Sequence, residues 1–349
     1  MRLVSARDWA RCGGAAGRRR RAVAVTAAAA GLVLVAGCNP FTSSSAGGPT
    51  GSGTVTVAAD AGVGDAPLYI AINRGLFAQA GIHVHVIPAN SVGQEVAALK
   101  SGQADIAFGD YADFFYADQL KTSPSLKIVA GGYDAAPGVM EVLTLPHSNI
   151  TTPARLAGKI IGTAGPQEMS FSLTKPYSLD TVATWSVLSS DNVDPSHITW
   201  QDMPTNKLVA ALGNRQVDAI LATEPTIFQA ESTLGAVPVL DSCTGATANL
   251  PLDGYFSDSV YAKKDATNLA AFRAALLKAQ SDASQAAPVQ SALMHYAGMQ
   301  AQPASLVTLG TYPTSVDEPD LQRVATLMFT FNSEPTGAPP LTVSSMIDH

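Results

Sequence analysis

Val96–Asp110, VAALKSGQADIAFGD, and Val209–Thr223, VAALGNRQVDAILAT, read as two copies of one unit. The opening VAAL, the Gln and the Asp coincide without a gap. Each copy has an apolar helix pattern, a polar turn and a short β-like run that stops at a polar residue. A repeat of this kind predicts two similar α/β units. In open α/β sheets ligands gather outside the carboxyl ends of the strands. Gly109-Asp110-Tyr111 and Thr223-Glu224 are therefore corresponding strand ends, expected to face one another across a shared cleft.

Upstream of the first copy, Thr54–Ala58 is a strand by its β-branched content. Asp60–Ala66 is a Gly-rich loop, and Pro67 occupies a first helical position. A helix is expected over Pro67–Ala80, interrupted at Gly75, and an alternating strand over Ile82–Ile87. Asn90-Ser91 opens the repeated helix, with Ser91 and Gln94 forming a capping box. Downstream, Tyr111–Leu120 is a helix, Lys127–Ala130 a strand, and Val139–Leu145 a strand leading into a crossover. Lys159–Thr163 opens a second set, followed by the loop Ala164–Ser172, a helix over Leu179–Ser189 and a strand over Ile198–Gln201. After the second copy come Glu224–Glu231, Ala236–Leu240 and a strand over Gly254–Tyr261, and helices finish the chain. The organisation expected is α/β: lobe 1 from 54–143 and 243–349, lobe 2 from 144–242. Two crossings between them form a hinge, so the cleft closes by domain rotation.

Hydrophobic residues make up 46% of the 349 and charged residues 14%, a globular composition. Seven of the 21 basic residues fall in 1–37 with the single acid Asp8, leaving 14 basic against 27 acidic residues, a formal charge of −13. An acidic body excludes nucleic acid, whose phosphates need clustered Lys and Arg. Arg18–Arg21 followed by the apolar run Ala22–Ala36 reads as an export leader, too short for a stable span. Val35-Ala36-Gly37-Cys38 resembles the lipobox of bacterial lipoproteins. This makes 1–37 a signal peptide, Cys38 the lipidated residue and 38–53 a flexible tether. The other reading is an ordinary signal peptide with an incidental cysteine. Beyond it Cys243 stands alone, so no intrachain disulfide forms, and there is no CxxC for zinc.

Ala66–Tyr111 (APLYIAINRGLFAQAGIHVHVIPANSVGQEVAALKSGQADIAFGDY), Leu156–Pro166 (LAGKIIGTAGP) and Lys207–Pro225 (KLVAALGNRQVDAILATEP) carry a resemblance. They are similar to extracytoplasmic substrate-binding proteins of ABC importers in the nitrate, sulfonate and thiamine-precursor group. The resemblance implies a type II periplasmic-binding-protein fold, a membrane permease and an ATPase as partners, and no cofactor. It also implies a monomer that touches the membrane through its lipid anchor alone. The chain departs from the family pattern at Pro166–Lys175, which lacks the usual small-residue helix opening. It departs again at Thr223, where an aromatic often precedes the Glu-Pro pair.

By position, the cleft residues are Asp65, Pro67, Asn90, Ser91, Gly109, Asp110, Tyr111, Gln167, Glu168, Thr223, Glu224 and Tyr255. The loops that carry them hold the acids Asp65, Asp110, Glu168, Glu224 and Asp253 and no Lys or Arg. A ring of carboxylates opposes an anion and favours a neutral or amine-bearing ligand. Glu224 or Asp110 is placed to accept hydrogen bonds from an exocyclic amine, and Tyr111, Tyr255 or Phe256 to supply a flat apolar wall. An aminopyrimidine-like thiamine precursor or another nitrogenous molecule is the expected ligand. A sulfonate or nitrate held on helix N-termini is the alternative. His83 and His85 share one strand face, but two ligands without a third describe a solvated face better than a metal site. A secreted hydrolase is the competing class. It lacks G-x-S-x-G, and His147, His197, His295 and His349 are scattered. A sensory module loading a signalling partner stays open at this stage.

Overall fold

The computed structural model describes residues 51–89, 91–120, 125–165 and 178–348. The strands are β1 Gly53–Ala59, β2 Ile82–Pro88, β3 Ile106–Asp110, β4 Leu126–Asp134, β5 Met140–Thr144, β6 Ile160–Ala164, β7 Thr199–Met203, β8 Ala219–Thr223, β9 Val237–Asp241 and β10 Pro251–Asp258. The helices are α1 Ala66–Asn73, α2 Leu76–Gln79, α3 Val92–Ser101, α4 Tyr111–Gln119, α5 Leu179–Ser190, α6 Thr205–Gly213, α7 Thr226–Leu234, α8 Ser259–Lys264, α9 Ala266–Ala283, α10 Ala286–Tyr296, α11 Ala301–Leu306 and α12 Glu318–Thr330. Most of these match the reading of the sequence. The segment Gly254–Tyr261 does not: Asp258 caps the backbone N–H groups of Val260 and Tyr261, which turns its second half into α8.

Two five-stranded sheets result, ordered β2-β1-β3-β10-β4 and β7-β6-β8-β5-β9. In each, four strands run in one direction and the fourth in order runs antiparallel between its neighbours. The order is the same in both sheets, as a duplicated unit demands. All of β5 pairs in the second sheet, ahead of the boundary at 143/144 drawn from the sequence. The antiparallel strand of each sheet follows directly on an edge strand of the other, β5 after β4 and β10 after β9. These are the two crossings.

The repeat holds down to single hydrogen bonds. Asp105 Oδ2 accepts Thr56 N–H at 2.8 Å and Asp218 Oδ2 accepts Ile160 N–H at 2.9 Å, so the shared Asp pins β1 and its counterpart β6. Gln103 N–H bonds Ala98 O and Gln216 N–H bonds Ala211 O, both at 2.9 Å. Both turns need a left-handed residue. Gly102 supplies it at φ 69° and Arg215 at φ 57°.

One apolar core runs from the first sheet through α12 and α5 onto the second sheet, where Trp185 meets Trp200 and Phe331. A smaller core lies under α6 and α7. Within the first sheet Phe114 stacks on Phe256 at 4.0 Å and Tyr255 packs on Phe108 and Phe272. Burying such rings stabilises by roughly 1.5–3 kcal/mol each. Among the described residues no helix is long and apolar enough to cross a membrane.

Candidate functional site

β1 and β3 end at one edge of the first sheet, and β10 begins there, with Asp253 directly opposite Asp110. Asp110 follows β3 and heads α4. Its Oδ1 accepts the N–H groups of Ala112 at 2.6 Å and Asp113 at 3.3 Å. Its Oδ2 accepts Leu179 N–H at 2.9 Å, at the first residue of α5. One carboxylate thus caps two helices, the second belonging to the crossover between β6 and β7. Glu224, just past the end of β8, caps one helix and holds a loop. Oε2 accepts Phe228 N–H in α7 at 3.0 Å, while Oε1 accepts Thr308 N–H at 3.0 Å. Thr308 lies just before Thr311, which is bridged to Asp134 at the end of β4. Each repeat-related strand end therefore caps its own helix with one oxygen and holds the other lobe with the second.

Around Asp110 the first lobe gathers further acids. Asp65 heads α1, is fully buried, and neither carboxyl oxygen has a donor. Its polar neighbour is Asp60, and two carboxyls bond each other only when one holds a proton. Burial raises the Asp65 pKa well above the ordinary range, with Asp60, Asp253 and Glu95 adding to the push. Glu95 of α3 is 4% exposed and its Oε2 is unpartnered. Burial pushes it up to about 9, helped by Asp60, Asp253, Asp113 and Asp110. Asp253 is raised by burial and then by Asp110 and Asp60. Asp110 is raised by burial, against which the Leu179 N–H works. The ion pairs of Arg74, Lys159, Arg273 and Arg323 are made with other acids, Asp282, Asp218, Asp348 and Asp320. The loop between β1 and α1 is tied by Tyr296 Oη to Gly62 O at 2.6 Å and Tyr312 Oη to Val63 O at 2.9 Å.

The other expected site residues divide. Pro67 is buried in the first turn of α1, and Gly109 sits against Glu95, whose Oε2 would lie 2.5 Å from a Cβ there. Ser91 Oγ accepts Gln94 N–H at 3.4 Å as the cap of α3, and Thr223 is exposed at the end of β8. Tyr111 and Tyr255 are not walls of the cleft. Tyr111 packs on Phe115 and Phe256 over Gly254, where a Cβ would come within 2.4 Å of its ring. Tyr255 is fully buried, and its hydroxyl has no partner. Cys38, Asn90, Gln167 and Glu168 lie outside the described residues.

Glu95 and Asp60 were missed from the sequence. The signal for Glu95 was available, because it stands one turn before the buried Leu99 on the same face of α3. His83 and His85 are exposed, and the described residues hold no group of three His, Cys, Asp or Glu placed to bind a metal. Cys243 is buried and its thiol is pushed up to about 12 by burial, which suits a packed residue rather than a nucleophile. A cavity of about 310 Å³ beside Arg74 and His295 and one of about 550 Å³ beside Gln322 and Arg323 are lined by no strand-end residue.

The NMT1/THI5-like family model matches residues 64–291. The fold is that of the alkanesulfonate-binding protein SsuA from Xanthomonas axonopodis pv. citri bound to MOPS, at TM-score 0.66 and 16% identity, covering 86% of this chain and 99% of that one. The periplasmic aliphatic sulphonate binding protein SsuA from Escherichia coli superposes at TM-score 0.67 and 17% identity, covering 84% and 97%. The periplasmic nitrate-binding protein NrtA from Synechocystis PCC 6803 gives TM-score 0.65 and 14% identity, covering 81% and 83%. No curated protein matches the chain in sequence. The two-lobed α/β architecture is thus a periplasmic-binding-protein fold.

Proposed function

The chain belongs to the NMT1/THI5-like family, and on that footing we propose that it is the solute-binding component of an ABC importer. It captures a small nitrogenous solute of the thiamine-precursor kind between the lobes and delivers it, unaltered, to a permease and its ATPase. In this reading 1–37 is cleaved as a lipoprotein signal peptide and Cys38 carries the lipid. Residues 38–53 tether a monomer outside the cytoplasmic membrane, and the chain crosses between the lobes before Met140 and after Asp241.

The observation that carries the reading is the pair of carboxylates, Asp110 and Glu224, spanning the lobes from repeat-related strand ends. Asp110 reaches the head of α5 in the second lobe, and Glu224 reaches the backbone of Thr308 in the first. The same observation favours a nitrogenous solute. An anion would need the free N–H groups at the heads of α4 and α5, and Asp110 already engages Ala112, Asp113 and Leu179 there. The alternative solute, an alkanesulfonate or nitrate, draws its support from the ligands named for the neighbouring structures.

The test is a melting-shift screen of the purified chain against thiamine-precursor pyrimidines, alkanesulfonates and nitrate, followed by recovery of the solute. A ligand bound to the folded state alone raises Tm. A stabilising solute recovered chemically intact supports capture. One consumed on incubation overturns it in favour of an enzyme, and a screen with no shift overturns the solute-binding reading.

A further inference from the structure

Among the described residues, the acids of the first lobe form a cradle that none of the arginine or lysine ion pairs named above includes. Asp65 is fully buried with no N–H donor on either oxygen and only the Asp60 carboxyl as polar neighbour, and Glu95 presents an unpartnered Oε2. Asp253 and Asp110 lie directly opposite on paired strands, an arrangement that destabilises a sheet by like-charge repulsion. Two glycines let the carboxyls crowd in. A Cβ at Gly64 would meet Asp253 Oδ2 at 3.0 Å, and one at Gly109 would meet Glu95 Oε2 at 2.5 Å. The buried, unpartnered hydroxyl of Tyr255, kept from ionising by burial first and then by Asp65, adds a group of another kind to the same place. Burying carboxyls without donors is costly, and such groups are retained where a partner completes them.

We infer that this cradle of Asp65, Glu95 and Asp253 recognises positive charge on the solute, and that the solute is an organic cation with two or more N–H donors, of the diamine or amidine type. The inference rests on the solute-binding reading above and adds the sign of the charge. A compact metal ion fits poorly, because no three such side chains among the described residues are placed to ligate one. Carboxyls spread over the ends of β1, α1, α3 and β10 match donors distributed along a molecule instead. The stacked rings of Tyr69 and Tyr296, 3.9 Å apart beside Asp65, add an electron-rich surface of the kind cations favour. Carboxyls that hold protons in the empty cradle, Glu95 foremost, give them up to solvent as the cation enters.

The experiment measures melting shifts and calorimetric binding of the purified chain with benzamidine, 1,4-diaminobutane, the neutral isostere benzamide, methanesulfonate and nitrate. Titrations in phosphate and in Tris at pH 7.5 count the protons exchanged. The expected result is a Tm rise of about 5 °C with a cation at saturating concentration and none with benzamide, together with net proton release. Asp65→Asn and Glu95→Gln should each weaken cation binding at least about tenfold and reduce the proton count, while raising Tm without ligand at pH 8. Asp253→Asn serves as the third arm if either fails to fold. A shift with methanesulfonate, nitrate or benzamide and none with the cations overturns the inference and leaves solute binding standing. No shift with any probe overturns it together with that reading. Cation binding unchanged in all three variants places recognition elsewhere and overturns it too.

Discussion

Asp110 Oδ2 lies 2.9 Å from the backbone nitrogen of Leu179, and through that bond the edge of one sheet holds the head of the other lobe's crossover helix. The same carboxylate caps α4 with its second oxygen. Asp110→Ala should therefore remove two helix caps at once, costing about 1–3 kcal/mol in chemical denaturation. Asp110→Asn keeps an acceptor oxygen and should lose less than half as much. Equal losses in the two variants would mean that charge, rather than acceptor geometry, does the holding.

Glu224 repeats this arrangement with Phe228 and Thr308. If both carboxylates secure one closed arrangement, the double variant with Asp110→Ala will depart from additivity. A coupling of about 0.5–3 kcal/mol is expected, although the two are not in contact. Small-angle scattering should show a larger radius of gyration for Glu224→Ala than for the parent. Strict additivity with an unchanged radius would reduce each carboxylate to a local cap.

Stability should fall as pH rises. Glu95 titrates at about 9 in the folded chain, against roughly 4.3 when unfolded. Between those values the folded state keeps a proton that the unfolded chain has released, so each step upward favours unfolding until the window ends near 9. Asp134 and Glu141, both pushed to about 7 by burial, act in the same direction. Denaturation midpoints should be highest near pH 5 and lowest near pH 9. Glu95→Gln should flatten the curve and add about 2–4 kcal/mol at pH 8. Midpoints that climb between pH 5 and pH 9 would contradict the assignment.

The repeat supplies a controlled comparison of one backbone position. Arg215 holds φ 57° where its counterpart Gly102 holds φ 69°. Arg215→Gly should stabilise by about 1 kcal/mol, and Gly102→Ala, whose Cβ would meet nothing within 4 Å, should cost about the same through φ alone. Thermal or denaturant melts of the two variants give the answer. A loss on Arg215→Gly would show that the arginine side chain outweighs its strained backbone.

The repeat was legible because it needs only local chemistry: periodicity, a glutamine in the turn and an aspartate before each strand. Asp105 and Asp218 fulfil it, tied to the corresponding strands β1 and β6. Tyr111 and Tyr255 were misread because their surroundings arrive late in the chain. β10 brings Gly254 and Phe256 against Tyr111, and α9 brings Phe272 against Tyr255. No pattern near residue 111 announces that. Asp110 and Glu224 were placed at facing strand ends for a ligand, while the fold spends their oxygens on backbone N–H groups. Local sequence marks an acid as exposed at a strand end; which donor reaches it depends on how two lobes close.

The position of β10 between β3 and β4 bears on how the polypeptide reaches this state. The seam it fills stays open until residues 251–258 have been synthesised, by which time the whole of the other sheet has preceded it. A chain emerging amino-terminus first therefore cannot complete its first sheet until its final third appears. Interleaving the halves delays folding as well as joining them.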